Sequence, residues 1–385
     1  MLGRAPSTIP GPERRKALNA KQKVALIFGG QSAEHDVSII SASSIAKAMD
    51  TSRFDPLYVA IDKRGRWFLG AGAFDLLRGL GEHDIQRVIL STDPDKQGFL
   101  SLDDGQVTAI GVVFPVLHGP RGEDGTLQGM LEMALIPYVG CTTMASAIAM
   151  DKDMTKRVLS QQGIPVVKGT CISRWMWDHD REEILKEISD SLRKPLFIKP
   201  ATLGSSIGIT KAASPAEIEQ GIAFAFTFSN KILVEQAVEN ALEVEVAVLG
   251  NNDPKASIPG QIIPSGEFYD FNAKYVDNSS ELIIPARIGK GLSENVRFLA
   301  RETFVAIGGT GLARVDFLVA GDTAYVNEIN TLPGFTSISM YPKLWEATGI
   351  PYQQLITTLI ELALARHTAE ERLTKTIEIE KSLGV

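Results

Sequence analysis

Four polar side chains within residues 311–335 are spaced to share one face of a hairpin, and three of them have the chemistry of divalent-cation ligands. The segment predicts two short strands around a turn at 321–323, with polar residues at every second position of each strand. A loop of three residues is expected, because that spacing places Asp316 directly opposite Glu328 and puts all four side chains on one face. The four residues are Arg314, Asp316, Glu328 and Asn330.

The two facing carboxylates favour a bound cation at this hairpin. Like charges directly opposite each other on paired strands are destabilising, and a cation removes that repulsion. Asp316, Glu328 and Asn330 offer only hard oxygen ligands, which suit Mg²⁺ or Mn²⁺ and argue against zinc. The alternative, a solvated polar face of a surface hairpin, stays open on this segment alone.

The composition of the chain argues against several classes of partner. A length of 385 residues indicates two or three domains, and a net charge of −7 argues against nucleic acid as a partner. Residues 1–20 have the composition of a disordered tail without the apolar core of a signal peptide, and no apolar run reaches the roughly 20 residues of a membrane span. We therefore expect a cytosolic protein with no membrane partner, and reduced thiols at Cys141 and Cys171.

The first ordered segment predicts a strand, a glycine turn and a helix. Residues 23–30 are apolar and end in two glycines, and the ligands of such a unit lie at the carboxyl end of its strand. Glu34 follows in the turn, and His118 ends a second apolar run at 109–119. If the two runs are neighbouring parallel strands, Glu34 and His118 lie close together. Each also has an ordinary interpretation, Glu34 as an acid in the first turn of a helix and His118 as a structural or solvated residue.

The middle of the chain combines positive charge with a flexible glycine-serine bend. Residues 144–165 predict one helix that carries Lys152, and residues 195–212 predict a hairpin that presents Lys199 before a bend at 204–208. Backbone N–H groups and hydroxyls in such a bend can close over phosphate oxygens, although ordinary Gly-Ser turns are common. The chain has no Walker A motif and no G-x-G-x-x-G turn after its first strand, so any nucleotide is held by another device.

Acidic residues then interrupt otherwise apolar strands. Residues 231–250 predict two strands whose buried acids suggest a polar ligand in a cleft. These acids are Glu235, Glu243 and Glu245. Residues 265–288 are poor in apolar side chains and are interpreted as a lid, with Lys274 and Tyr275 as its most useful residues chemically. A final helix at 351–367 is expected to serve packing only.

Six motifs in order resemble the D-alanine:D-alanine ligases of the ATP-grasp superfamily. They are GGQSAEHDVS (29–38), HGPRGEDGTLQG (118–129), MDK (150–152), IKPATLGSSIG (198–208), FYDFNAKY (268–275), and ARVDF with NEINTLPGFT (313–317 and 327–336). The resemblance implies an α/β and α+β fold, in which a Rossmann-like N-terminal domain precedes two ATP-grasp subdomains that hold ATP between them. The expected division is a tail at 1–20, an N-terminal domain at 21–141, a central subdomain at 142–230, a C-terminal subdomain at 231–367 and a charged tail at 368–385.

By this resemblance the chain ligates two D-alanines to D-alanyl-D-alanine for peptidoglycan precursors, with ATP as co-substrate and an acyl phosphate as intermediate. Two Mg²⁺ or Mn²⁺ ions would bind at Asp316, Glu328 and Asn330. The positions that match ATP contacts are Lys152, Lys199, Ser205, Ser206, Glu235, Gln236, Val238, Glu243 and Lys274.

The resemblance also assigns residues to the reacting groups. Glu34 would anchor the ammonium group of the first D-alanine, with His118 near its carboxylate, and Arg314 with the Gly334 amide would form an oxyanion hole. Ser339 and the Met340 amide match the site of the second carboxylate.

The lid completes the set of catalytic positions. Tyr275 would hydrogen-bond toward Ser205 and Glu34 and close the site against water. Tyr275 after Lys274 favours the dipeptide as product, so a D-alanine:D-lactate ligase, which makes the D-alanyl-D-lactate ester, is the nearest alternative.

Two other classes of protein are disfavoured. A Rossmann-type oxidoreductase would require a G-x-G-x-x-G turn after the first strand, which this chain lacks. A non-catalytic relative that only binds ATP or an amino acid would be expected to have lost a metal ligand or Arg314, which this chain has. A homodimer through the N-terminal domain is a further implication of the resemblance.

Overall fold

The computed structural model describes residues 21–204, 206–263 and 281–373. The expected tail at 1–20, most of the tail at 368–385, most of the lid, and the site residues Ser205, Lys274 and Tyr275 lie outside the described residues. The described residues form three β-sheets with helices packed on them. In this part of the chain, no helix is both long and apolar enough to cross a membrane.

The N-terminal sheet has the strand order β6-β5-β4-β3-β2-β1-β7. Its strands are β1 (Gln22–Gly29), β2 (Phe54–Ile61), β3 (Trp67–Leu69), β4 (Gln86–Ser91), β5 (Gly98–Ser101), β6 (Val107–Thr108) and β7 (Val112–Val116). The helices of this region are α1 (His35–Ala48), α2 (Ala73–Leu77) and α3 (Thr126–Met133). β1 pairs in parallel with both β2 and β7, so the predicted neighbourhood of the Glu34 and His118 turns is confirmed.

The central sheet is antiparallel, with the order β10-β9-β11-β8. Its strands are β8 (Gly169–Ser173), β9 (Leu196–Pro200), β10 (Thr210–Ala212) and β11 (Lys231–Gln236). The nearby helices are α4 (Thr143–Met150), α5 (Lys152–Gln161), α6 (Arg174–His179), α7 (Arg181–Ser191) and α8 (Pro215–Ala225). The predicted hairpin at 195–212 is confirmed as β9 and β10.

Two expectations about this region were wrong in detail. The single helix predicted over 144–165 is broken at Asp151, whose side chain accepts hydrogen bonds from the N–H groups of Asp153 and Met154 and so begins α5. β11 pairs with β8 and β9, although the expected boundary at 230/231 assigned it to the C-terminal subdomain. The rest of the domain division stays a prediction.

The C-terminal sheet has the order β15-β14-β12-β16-β17, with β13 paired to β12. Its strands are β12 (Leu242–Gly250), β13 (Lys255–Ala256), β14 (Gly260–Ile263), β15 (Glu281–Ile283), β16 (Gly311–Ala320) and β17 (Thr323–Asn330). Its helices are α9 (Lys290–Ala306), α10 (Met340–Ala347) and α11 (Tyr352–Glu371). The helix α11 therefore continues past residue 367, where the charged tail was expected to begin.

One hydrophobic core joins the N-terminal sheet to α10 and α11. Phe28 and Phe114 of the N-terminal sheet share this core with Tyr341 and Trp345 of α10, and each of the four is at most 2% exposed. The central sheet has a separate core of its own. The shared core brings the carboxyl ends of β1 and β7 to the loop that follows β17.

Arg366 of α11 ties this helix to the junction between the first two regions. Its guanidinium donates to the Gly140 and Tyr138 carbonyls and to the Thr310 hydroxyl, and it lies 4.4 Å from the centre of the Tyr138 ring. We expect Arg366→Met to lower the free energy of unfolding by roughly 3 kcal/mol, because it leaves several buried acceptors without a charged donor. Urea denaturation measures this loss.

The exposed Arg372 lies just beyond the end of the same helix and provides the control. Arg372→Met should change the free energy of unfolding by less than about 0.5 kcal/mol. Equal stability losses in the two variants would show that the buried contacts of Arg366 contribute nothing specific.

Candidate active site

The polar hairpin is β16 paired antiparallel with β17, and Asp316 stands opposite Glu328 as predicted. The predicted loop of three residues was wrong, because Ala320 pairs with Thr323 and the loop is Gly321-Asp322. Gly321 has φ +57°, the positive value that a type II′ turn requires at its first loop position.

A β-bulge restores the parity that this shorter loop would have broken. The register shifts between Asp316 and Phe317, because Phe317 pairs with Val326 and Asn327 is the extra residue. Since a bulge redirects side chains, Asn327 and Glu328 both line the neighbouring cavity. The Asn327 Oδ1 accepts a hydrogen bond of 3.3 Å from Lys199 Nζ.

Arg314 is the centre of charge on this face of the sheet. Its Nε and Nη2 donate to the two Asp316 oxygens at 2.7 and 2.6 Å, and its Nε lies 3.0 Å from Glu245 Oε2. Burial alone would lower the pKa of Arg314, but Asp316 and Glu245 together raise that pKa well above its usual range. Arg314 is therefore a fixed, charged donor held by two carboxylates.

The acids form a row across three adjacent strands. Glu245 of β12 pairs with Asp316 of β16, which pairs in turn with Glu328 of β17. Glu328 Oε2 lies 3.0 Å from Lys152 Nζ, and Asn330 Nδ2 donates to Asp316 Oδ2 at 2.9 Å. Glu245 lay in the acidic strands noted from the sequence but was not assigned to the site.

The residues of this row fit a hard divalent cation. Carboxylate and amide oxygens from Asp316, Glu328 and Asn330 are ligands that Mg²⁺ or Mn²⁺ accepts, and the Asn330 amide can present its oxygen by turning over. The three carboxylates of the row also carry one more negative charge than the adjacent Arg314 and Lys152 balance. The chemistry of the donor set therefore agrees with the predicted metal site.

A cavity of about 460 Å³ opens between the central sheet and the acidic row. It gathers all of the predicted ATP-binding positions that the structure describes, which are Lys152, Lys199, Ser206, Glu235, Gln236, Val238 and Glu243, together with Asp316 and Glu328. Apolar side chains of Phe197, Ile207, Ile209 and Leu318 complete its walls. The mixture of flat apolar walls, lysines and acids suits a nucleotide with its counter-ions.

Lysines reach the cavity from two elements. Lys152 is the first residue of α5, and its Nζ donates to the Leu203 carbonyl at 2.9 Å beside the glycine-serine bend. Lys199 of β9 lies 2.5 Å from Glu235 Oε2. The start of α5 is fixed by Lys231, which pairs with Asp151 at 2.8 Å and with Asp153 at 2.7 Å.

A second cluster lies where β1 and β7 end. Glu34 is 9% exposed at the start of α1, and His118 is 5% exposed. His118 Nδ1 lies 3.0 Å from the Leu332 carbonyl and must donate to it, so its Nε2 accepts from the Ser41 hydroxyl at 3.3 Å. Burial lowers the pKa of His118, while the nearby Glu34 carboxylate opposes that shift.

The loop after β17 brings the remaining predicted positions to this cluster. The Leu332 carbonyl of this loop accepts the hydrogen bond from His118 Nδ1. Ser339 precedes α10, and its Oγ accepts from the Thr336 N–H at 3.1 Å. A Cβ added to Gly334 would lie 3.2 Å from Ser339 Oγ, so these two residues are neighbours. Only the backbone of Met340 is suited to a ligand, since its side chain is buried in the core.

Glu123 is a mostly buried acid of this cluster, with a side chain 15% exposed, that the sequence did not single out. It accepts a hydrogen bond of 3.1 Å from the Gly119 N–H and lies 4.0 Å from His118 Nδ1. Burial raises the pKa of the Glu123 carboxyl well above its usual range, and the negative charge of Glu34 adds to the effect. Its place in the HGPRGEDG motif was the available signal.

Glu123→Gln is expected to stabilise the protein at alkaline pH. A carboxyl group whose pKa is raised by folding contributes stability at low pH, and that contribution is lost as the pH rises through the folded-state pKa. Glutamine resembles the protonated acid, so it should increase the free energy of unfolding by roughly 1–2 kcal/mol near pH 8 and by much less near pH 5. Urea titrations at both pH values measure the difference.

Glu302→Gln, at an exposed position on α9, is the control and should show no such dependence on pH. A Glu123→Gln variant that is destabilised more at pH 8 than at pH 5 would contradict the raised pKa.

Comparisons with known proteins agree with this arrangement. Residues 23–141 match the family model for the D-ala D-ala ligase N-terminus, and residues 158–361 match the model for the D-ala D-ala ligase C-terminus. A D-alanine–D-alanine ligase from Heliobacterium modesticaldum is 46% identical over 91% of this chain and 97% of its own length. D-alanine–D-alanine ligase A from Salmonella typhimurium is 42% identical over 93% of this chain and 100% of its own length.

Solved structures show the same fold. The VanG D-Ala:D-Ser ligase from Enterococcus faecalis has a TM-score of 0.82 and 37% identity, and covers 89% of this chain and 100% of its own. The D-alanine–D-alanine ligase from Coxiella burnetii has a TM-score of 0.80 and 34% identity, and covers 91% of this chain and 96% of its own. The predicted fold class is thereby confirmed, and the chain belongs to the D-alanine–D-alanine ligase family.

Proposed function

We propose that the chain joins two D-alanines to D-alanyl-D-alanine while converting ATP to ADP and phosphate. The observation that carries the proposal is the acidic row at one end of a cavity of nucleotide size, with Arg314 bound to the Glu245 and Asp316 carboxylates of that row. The names of the relatives supply the substrate. A cytosolic location and a homodimer remain predictions.

The cavity would hold ATP with its base toward Glu235 and its phosphates toward the acidic row. Lys152 and Lys199 supply positive charge along its length, and Ser206 stands in the bend above it. Ser206 has φ +57°, which helps the bend to turn sharply over the cavity. Glu243 lines the wall of β12, where it would accept hydrogen bonds from ribose hydroxyls.

Asp316, Glu328 and Asn330 would hold Mg²⁺ or Mn²⁺. When bound, such ions neutralise the charge of the phosphate oxygens during phosphoryl transfer. In the structure Lys152 pairs with Glu328, so this lysine balances part of the negative charge of the acidic row.

Arg314 would bind the carboxylate that reacts. In the first step a carboxylate oxygen of one D-alanine forms a bond to the γ-phosphorus, and ADP leaves. In the second step the amine of the other D-alanine forms a bond to the acyl carbon, and phosphate leaves with that same carboxylate oxygen. Because Asp316 and Glu245 fix the guanidinium in advance, it can stabilise the developing oxyanion without reorganising.

The cluster at the ends of β1 and β7 would hold the amino acids. The Glu34 carboxylate suits the ammonium group of the first D-alanine, and the buried His118 stands beside it. Ser339 and the Met340 N–H, at the start of α10, suit the carboxylate of the second. In this arrangement the two groups of residues would hold both substrates near Arg314.

The test is product analysis with ATP, Mg²⁺ and D-alanine. Phosphate and D-alanyl-D-alanine should appear in equal amounts, and L-alanine should give neither. Phosphate release without dipeptide would overturn the proposal. D-Serine and D-lactate belong in the same experiment, since one similar structure is a D-Ala:D-Ser ligase. We expect D-alanine to be the preferred acceptor, and a higher yield with either of the others would correct the assignment.

A further inference from the structure

Helix α5 presents two lysines, Lys152 and Lys156, on one face, because residues four apart lie one helical turn from each other. Lys152 reaches the acidic row at Glu328, over 3.0 Å. Lys156 lies behind the other end of the cavity, where its Nζ is 2.6 Å from Oε1 of the lining residue Glu235. One helix therefore contacts an acid at the proposed phosphate end of the site and another at the proposed base end. Lys156 has no part in the mechanism described above.

Glu235 lies between two ammonium groups in a buried setting. Its other oxygen lies 2.5 Å from Lys199, and Glu235 and Lys156 are 3% and 7% exposed. Burial would raise the pKa of the Glu235 carboxyl, but Lys199 and Lys156 more than offset this and hold that pKa below its usual range. Each oxygen of an ionised carboxylate has two lone pairs, so Oε1 can accept from a further donor besides Lys156.

The two lysines differ in what they can do once a nucleotide is present. Lys199 lines the cavity, also contacts Asn327 at 3.3 Å, and is placed to bind phosphate. Lys156 is not among the described residues that line the cavity. Burial lowers the pKa of Lys156, and the Glu235 carboxylate opposes that shift. Lys156 is therefore the cation that stays with Glu235 when Lys199 is engaged elsewhere.

We propose that Lys156 is a positioning residue that makes the site selective for a purine with a 6-amino group, by keeping Glu235 as an ionised acceptor. An ionised carboxylate accepts hydrogen bonds and cannot donate them. A 6-amino group donates to it, whereas a 6-oxo group presents a second acceptor and is repelled. The inference rests on the proposed function, since it takes the cavity to hold a nucleotide with its base at Glu235.

The experiment compares the binding of MgADP and MgIDP by calorimetry, since the two differ at the 6-position of the purine. The wild-type protein should prefer MgADP by roughly 10- to 100-fold, the contribution of a hydrogen bond to a charged group. In Lys156→Met the side chain keeps its length and loses its charge, so Glu235 can take up a proton and donate. The preference should then fall to within about threefold.

Lys231→Met is the matched control, because it removes a lysine that also fixes α5 but does not contact Glu235. It should lower the thermal midpoint and leave the preference for MgADP unchanged. A purely structural role of Lys156 would weaken both nucleotides equally, and an unchanged preference in Lys156→Met would overturn the inference.

Glu235→Gln provides a second variant if Lys156→Met does not fold. Its amide can donate to a 6-oxo group, so the preference for MgADP should collapse here as well, and a retained preference would contradict the inference. Equal binding of both nucleotides by the wild-type protein would also overturn it. If the wild-type protein binds neither nucleotide, the proposed function itself fails, which separates the two outcomes.

Discussion

Asp316→Asn is expected to lower the rate of dipeptide synthesis by roughly 10³-fold while the protein stays folded. Asp316 orients Arg314 through two hydrogen bonds and stands between Glu245 and Glu328 in the acidic row, so its charge serves both the guanidinium and the proposed cation. The fold should survive, because Arg314 keeps its contact with Glu245 and the apolar face of β16 is unchanged. Phosphate release and circular dichroism measure the two properties.

Asp322→Asn is the matched control for this prediction, since Asp322 is an exposed acid in the loop of the same hairpin. It should retain full activity. If Asp316→Asn keeps activity within about tenfold of the wild-type protein, the acidic row is not the catalytic centre.

Arg314→Met is expected to have the second large effect, on activity and on stability together. Loss of one preorganised donor to a developing oxyanion should lower the rate by roughly 10²- to 10³-fold. The substitution also leaves Glu245 and Asp316 side by side without their shared cation, which should cost roughly 3–5 kcal/mol near pH 8. Protonation removes uncompensated negative charge, so the stability deficit should shrink as the pH falls toward 5.

Denaturant titrations of Arg314→Met and the wild-type protein at both pH values measure this deficit. Arg287→Met removes an arginine whose side chain is 69% exposed and should change neither stability nor its pH dependence. A deficit for Arg314→Met that grows toward acidic pH would contradict the view that Arg314 compensates buried carboxylates.

The hairpin shows how far a period-two pattern can be interpreted. Alternation along β16 and β17 placed the four polar side chains on one face, and the register confirms that Asp316 opposes Glu328. The route to that register was different, because a Gly-Asp loop of two residues was combined with a bulge at Asn327. The Gly-Asp pair is itself a two-residue hairpin signal, so the requirement for a bulge could have been deduced from parity.

Pairing between distant segments was harder to predict. The strands around the connection at 237–241 look alike in sequence, yet β11 belongs to the central sheet and β12 to the C-terminal one. Sheet membership is decided by partners far along the chain, which local pattern does not contain. The helix break at Asp151 could have been predicted from the local sequence. Asp is a favoured N-cap residue, and the acid Asp153 follows in the first turn of α5.

The residues that sequence reasoning missed are defined by their partners. In the sequence, Lys156 is an ordinary helix lysine; only the fold shows that it lies 2.6 Å from Glu235. Glu123 is likewise one acid of a polar loop, and only the fold shows that burial and the nearby Glu34 raise its pKa. In contrast, Lys152, Lys199 and Glu34 were found because their motifs are distinctive. Their roles, and those of Ser205, Lys274 and Tyr275 outside the described residues, stay predictions.

In the proposed mechanism, Arg314 and the acidic row direct transfer of the γ-phosphoryl group to a D-alanine carboxylate. The most direct test uses D-alanine labelled with ¹⁸O in its carboxylate, together with ATP and Mg²⁺, and mass analysis of the phosphate released. Transfer to the carboxylate predicts one ¹⁸O atom in each phosphate, and this labelled phosphate should form roughly 10³-fold more slowly in Asp316→Asn. Phosphate free of ¹⁸O, formed alongside dipeptide, would contradict the account.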